Sequence, residues 1–255
     1  MFGGTWRLGR LFGVEIRVDS SWVLIAVLIG WSYSIRLERL YGLEGNEALG
    51  LAVAATAVFF GSVLVHELAH SLAAKAMRIP VHGITLYLFG GATHANVESR
   101  GPKAEFITTI VGPLSSVGVA GVLWLAASAA GPDTEAIPGT LGYLAWINAF
   151  LAVFNLLPGL PLDGGRVLRS AVWGATGSYQ RATRVAAIGG QVVGWAIVGV
   201  GAASVVLEDL GGLWLVFIGW FIAQAARAAG AQARQREVQR PPVPPVPPKD
   251  PFSRP

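Results

Sequence analysis

Long apolar runs separated by short polar connections dominate the chain, and a membrane-spanning helix needs about 20 mostly apolar residues. By that measure the sequence predicts six crossings, over 21–35, 48–65 with a polar continuation, 106–130, 137–162, 185–206 and 213–229. The first is short. Several are rich in small residues, as in GQVVGWAIVGVGAASVV, which lets neighbouring helix backbones approach closely. Residues 81–97, VHGITLYLFGGATHANV, instead place β-type residues around Gly90 and Gly91. Near the C-terminus the pattern gives way to QREVQRPPVPPVPPKDPFSRP, too rich in proline for helix or sheet interior. The expected organisation is an integral-membrane domain over 1–230 followed by a disordered cytoplasmic tail over 231–255.

Composition agrees with the periodicity. Of 255 residues, 53% are hydrophobic and 13% charged, and the mean hydropathy is +0.54, far from soluble averages. The expected fold class is a polytopic α-helical membrane protein of about six transmembrane helices. The basic start runs into Asp19 before any apolar core, so the first hydrophobic segment is expected to stay as an anchor. With six spans, one side collects most of the cations, including Arg7, Lys75, Lys103, Arg166 and Arg181, and the other side only Arg36 and Arg39. The positive-inside rule then places both termini in the cytoplasm of a multi-pass cell-membrane protein. The same asymmetry accounts for the net charge of +4 through topology and attraction to the lipid bilayer. No basic patch interleaved with aromatics suggests nucleic acid as a partner.

Cysteine is absent, so any metal is held by His, Asp or Glu. His66 and His70, in HELAH, are one helical turn apart and project to one face, where both imidazoles reach a single ion. Glu67 lies on the adjoining face, poorly placed as a ligand to that ion but well placed to take a proton from an attacking water. The plainer alternative is that the three side chains satisfy one another in a polar helix interface. Intramembrane ionisable groups are costly, which favours function. Two histidines leave a catalytic zinc short of one protein ligand. Glu98 and Glu105 fall near the cytoplasmic surface, whereas Asp163 closes FNLLPGLPLDGGRVLRS at a depth similar to His66. Pro158, Pro161, Gly164 and Gly165 make that stretch an irregular support that aims Asp163 at the metal. Asn148 and Asn155 are one or two turns apart on the fourth segment and each brings an amide where unpaired polarity is expensive.

HELAH closing one apolar helix, with NLLPGLPLDGGR from Asn155 to Arg166 in a later one, resembles the site-2 protease family of intramembrane zinc metalloproteases. The resemblance runs from about Arg7 to Ala229. It implies one Zn²⁺ per chain held by His66, His70 and Asp163, with Glu67 activating water. It also implies a three-helix core, about 48–170, in which GPLSS from Gly112 to Ser116 resembles a small-residue motif. A re-entrant hairpin would lie at Gly90 and Gly91, its exposed edge holding an unwound substrate strand; the alternative is an amphipathic surface hairpin. GRLFGVEIRVDSSW resembles a short sheet ahead of the first helix. Asn155 would orient substrate or cap carbonyls near Pro158. His82 and His94 stand outside the motifs and are expected to have structural or surface roles. The implied activity is endoproteolysis in or next to transmembrane segments of membrane proteins, anti-sigma factors among them, in a bacterial membrane. Many relatives of the six-helix type carry nucleotide-sensing CBS modules after the membrane domain, where this sequence has its proline-rich tail, whose PxxP character suits a partner's aromatic groove. The competing class is a non-proteolytic metal-binding scaffold or a transporter; inverted repeats with paired broken helices, expected of the latter, are not seen.

Overall fold

The computed structural model describes residues 4–87, 90–95, 100–207 and 210–238. The chain runs β1 (Thr5–Leu11), β2 (Val14–Asp19), α1 (Ser20–Tyr41), α2 (Gly45–Ala76), β3 (Val81–Tyr87), β4 (Gly90–Ala95), α3 (Pro102–Ala130), α4 (Ala136–Asn155), α5 (Asp163–Thr176), α6 (Tyr179–Val206) and α7 (Gly212–Val238). Six of these helices, α1, α2, α3, α4, α6 and α7, are long and apolar enough to cross a membrane. Their outer faces carry large apolar side chains such as Trp31, Trp124 and Val192, which suits hydrocarbon rather than water.

Local chemistry sets the helix limits. The Asp19 side chain accepts from the Ser21 amide at 2.9 Å and starts α1. Gly42 ends it in the left-handed region at φ 65, its N–H returning to the Glu38 carbonyl. The predicted first span stopped at 35, but Arg36, Glu38 and Arg39 simply continue the helix to Tyr41. Pro102 opens α3 at its first turn, where its missing N–H costs nothing.

Two boundaries differ from expectation. The fourth apolar segment is not one span to 162: α4 stops at Asn155, irregular chain follows, and Asp163 begins the separate helix α5. Pro158 and Pro161 supply no N–H to a helical ladder, so the apolar run continues while the helix cannot. At the other end, α7 remains helical to Val238, beyond the predicted start of a disordered tail at 231. The proline-rich stretch after it lies outside the described residues.

The β-type stretches form one four-stranded sheet in the order β1-β2-β3-β4. The outer pairs are antiparallel and the central β2–β3 pair is parallel. Val14 and Val18 of β2 with Ile84 and Leu86 of β3 close on Leu68 of α2, so the sheet packs against the helix that carries HELAH. Leu68 faces the sheet, and 3.6 residues per turn then send His66 and His70 the other way, toward α3.

Candidate metal centre

His66 and His70 sit one turn apart on α2, and Asp163 reaches them as the first residue of α5. The Asp163 Oδ2 atom is 3.2 Å from each histidine Nε2, and the two Nε2 atoms are 3.2 Å from one another. All three residues are less than 10% exposed. Each imidazole is fixed by its other nitrogen. His70 Nδ1 donates to the Thr108 carbonyl at 2.7 Å, a carbonyl being able only to accept. That places the ring proton on Nδ1 and leaves the Nε2 lone pair facing inward. His66 Nδ1 lies 2.9 Å from the Ser116 hydroxyl.

Three electron-pair donors facing one another at this spacing fit a shared cation. Ligand atoms at about 2.0–2.1 Å from one tetrahedral zinc are separated by roughly 3.3 Å, close to the separations found. Among the described residues, this is the group of His, Asp and Glu side chains able to hold a metal ion. Gly112 of α3 sits directly beside it. A Cβ there would overlap His70 Nε2 and come within 2.9 Å of His66 Nε2, so the space around the donors exists because residue 112 has no side chain. Donor chemistry, partner bonds and the glycine cradle together match zinc. Glu67, next in sequence to His66, is also buried, at 8% exposure.

The backbone N–H groups of the irregular stretch 156–162 all find acceptors. Leu160 N–H donates across to the Ala186 carbonyl of α6 at 3.0 Å, and Leu162 N–H returns to the Gly159 carbonyl at 3.1 Å. Gly189 and Gly190 of α6 receive it: a Cβ on either would overlap the carbonyl of Pro158 or Leu160. Asp163 is thus aimed by a loop seated in a two-glycine notch.

The family model for peptidase family M50 matches residues 54–137 and 133–198, which include HELAH and Asp163. This chain belongs to peptidase family M50. Its relatives include a Synechocystis sp. protein assigned as a zinc metalloprotease, sll0528, 40% identical over 224 residues that cover 86% of this chain and 58% of that protein. The Mycobacterium tuberculosis protein Rip3, with the same assignment, is also 40% identical over 224 residues, covering 86% of this chain and 57% of the relative. The M50 chain therefore spans somewhat over half the length of these two relatives. Among solved structures it resembles the site-2 protease from Methanocaldococcus jannaschii, with a TM-score of 0.62 at 25% identity, covering 89% of this chain and 95% of that one. The protein is a multi-pass membrane member of the M50 family, mostly helical with one small sheet.

The structure brings His66, His70 and Asp163 together and leaves other candidates apart. Asn148 is fully buried on α4, its amide N–H donating to the Leu144 carbonyl at 2.9 Å, while its Oδ1 has no hydrogen-bond partner among the described residues. Asn155 is the half-buried last residue of α4. Neither asparagine hydrogen-bonds to the three donors. Gly90 and Gly91 open β4, paired with Tyr87 and Leu86, on the sheet edge opposite β1. His82 is exposed on β3; His94 pairs in register with Gly83. Glu98 lies outside the described residues. Glu105 is buried and occupied: it accepts from Arg169 Nε at 2.9 Å, and Arg166 stands 3.9 Å away.

Sequence reasoning missed the supports. Thr108 acts through its backbone carbonyl, which no side-chain pattern reveals. Ser116 and Gly112 stood in the small-residue stretch GPLSS, legible as close helix packing but not as contact with imidazoles. A cavity of about 420 Å³ among α1, α2 and α4, lined by Tyr33, Thr56, Phe59 and Tyr143 among others, does not include the metal group.

Proposed function

We propose that this M50 protein is a zinc endopeptidase that hydrolyses peptide bonds in or next to transmembrane segments of other membrane proteins. What supports this most directly is the convergence of His66, His70 and Asp163 donors at 3.2 Å, beside the buried Glu67 carboxylate. His66, His70 and Asp163 would hold the ion. Bound zinc supplies Lewis-acid polarisation of the scissile carbonyl and acidification of the attacking water. Glu67 would take a proton from that water as the water oxygen adds to the carbonyl carbon and opens the C=O π bond. It would then pass that proton to the amide nitrogen, so that the C=O re-forms as the C–N bond breaks and the amine leaves neutral. The Thr108 carbonyl keeps the proton of His70 on Nδ1, so that Nε2 stays a donor throughout. Asn148 and Asn155 of α4 are the supporting residues in this reading.

A helical substrate hides its carbonyls in i to i+4 bonds and must unwind to be cut. The β4 edge, opened by Gly90 and Gly91, takes the unwound segment as an added strand. Both termini are cytoplasmic, by the excess of Lys and Arg on the side of β1, α5 and the α2 C-terminus. Single-pass regulators such as anti-sigma factors are the substrate class, in a bacterial membrane, and the PxxP sequences of the proline-rich C-terminal stretch suit a partner's aromatic groove.

The test is cleavage of a single-pass model substrate by purified wild type and Glu67→Gln, with zinc content measured on both. The expected outcome is about one zinc in each and a rate lowered roughly 10²–10⁴-fold in the variant. Equal rates remove Glu67 from the chemistry. Zinc in both with no cleavage of any membrane protein tried favours a metal-binding scaffold.

A further inference from the structure

The β1–β2 hairpin takes no part in the chemistry above, yet its surface is specialised. All seven residues of β1 are exposed, and β1 is a free edge of the sheet among the described residues. Cross-strand partners share a face. Trp6 opposite Val18 and Leu11 opposite Val14 lie on the face that packs toward α2, whereas Arg7 opposite Arg17 and Arg10 opposite Glu15 lie on the other. On that second face Glu15 is 2.5 Å from Arg7, 2.7 Å from Arg17 and 3.8 Å from Arg10. The Arg17 hydrogen bond, with Arg7 adding to it, holds Glu15 below the ordinary carboxylate range. One carboxylate against three guanidiniums still leaves two positive charges uncompensated, and the three arginine side chains remain 61%, 69% and 51% exposed for Arg7, Arg10 and Arg17.

The hairpin's depth follows from its attachments. The 22 residues of α1 span about 33 Å, close to the ~30 Å of a bilayer's hydrocarbon core. Ser20 therefore marks one hydrocarbon boundary, and β2 enters it directly. At about 3.3 Å per residue along the strand, Trp6, paired with Val18, stands at most roughly 7 Å outside that boundary, and Arg7, paired with Arg17, at most roughly 10 Å. An aromatic side chain followed outward by cations is the order found where proteins meet the interface. The tip is pinned: Lys75 in the last turn of α2 donates to the Phe12 carbonyl at 2.7 Å, closing a tight turn in which Phe12 and Gly13 have φ 51 and 72.

We infer that the exposed edge strand β1 docks on anionic phospholipid headgroups, with Arg7, Arg10 and Arg17 meeting the phosphates and Trp6 seated beneath them. The assignment depends on the membrane topology and not on proteolysis. The test uses the full chain in phosphatidylcholine vesicles carrying either brominated phosphatidylglycerol or brominated phosphatidylcholine at equal mole fraction. Trp6 quenching is taken as the difference between wild type and Trp6→Phe. Stronger quenching by the glycerol lipid is expected in wild type, with the preference falling about fivefold per cation removed in Arg7→Gln and Arg7→Gln/Arg10→Gln. Glu15→Gln, which uncovers the third guanidinium, raises it, and high salt suppresses it. Equal quenching by both lipids in wild type, or a preference indifferent to the arginines, overturns the inference. So does a preference that inorganic phosphate abolishes where chloride of matched ionic strength does not, since the cations would then belong to a soluble anion.

Discussion

At Gly112 a single hydrogen atom lets α3 approach the two imidazoles. A methyl group would overlap His70 Nε2, and neither histidine can retreat while its Nδ1 is tied to α3 through Thr108 or Ser116. Gly112→Ala is therefore expected to fold and to lose most of its zinc. Gly118→Ala, six residues further along the same helix with nothing within 4 Å of the added carbon, is the control. It should keep its zinc and gain slightly in thermal stability, as Gly to Ala changes in helices do by about 0.5–1 kcal/mol. Metal analysis of both purified variants decides the matter; full zinc content in Gly112→Ala would mean that the histidines have more freedom than their partners imply. HELAH itself was legible because a helix brings residues four apart onto one face. Gly112 was not, because a glycine in an apolar helix has the same appearance whether it faces a backbone or a ligand.

Between elements, the critical spacing is that of α3 and α5, one holding the histidines' partners and the other beginning with Asp163. Glu105 on α3 and Arg169 on α5 form a buried ion pair: the Glu105 side chain is 1% exposed and that of Arg169 12%. Glu105 lies one turn before Thr108, and Arg169 under two turns after Asp163, so this clamp acts close to the metal group. Glu105→Gln strands a buried guanidinium and should lower stability by about 3–5 kcal/mol, read as a fall in the thermal midpoint in detergent. Glu105→Gln/Arg169→Met removes both charges and is expected to recover most of that midpoint. Zinc affinity, measured by chelator competition, stays weakened in the double variant. An affinity that recovers together with the midpoint would reduce the pair to simple stabilisation. The proline and glycine content of 156–165 announced an irregular stretch, but not that it rests in the Gly189–Gly190 notch of α6, since those glycines look the same in sequence as any helix-packing pair.

For the whole molecule, the uneven distribution of Lys and Arg makes a claim about orientation that the cysteine-free chain allows to be tested cleanly. Single cysteines at Glu47 or Asp133, both exposed, should react with a membrane-impermeant maleimide from the extracytoplasmic side. Cysteines at Lys103 or Arg181, also exposed, should react only in inverted vesicles. The reverse pattern would invert the topology and place the metal centre near the opposite surface. The six helices able to cross follow from apolar runs of sufficient length, and their number was right even where their ends were not. The division at Asn155 escaped the hydropathy pattern because hydrophobicity continues through Pro158 and Pro161 while helical hydrogen bonding does not.

By itself the sequence determined the apolar lengths, the one-turn spacing of His66 and His70, the proline-broken approach to Asp163 and the motif pair that resembles the site-2 protease family. Each of these is local: hydropathy, helical periodicity and missing backbone donors act over a few residues and need no partner. Only the tertiary structure decided which carbonyl fixes His70, which glycine makes room for the donors, which notch seats the Asp163 loop, and that Glu105 is spent on Arg169. Those contacts join residues that are dozens of positions apart, and a side chain's partner across a helix interface depends on how the helices rotate and approach, a relation that close packing sets and no single segment encodes.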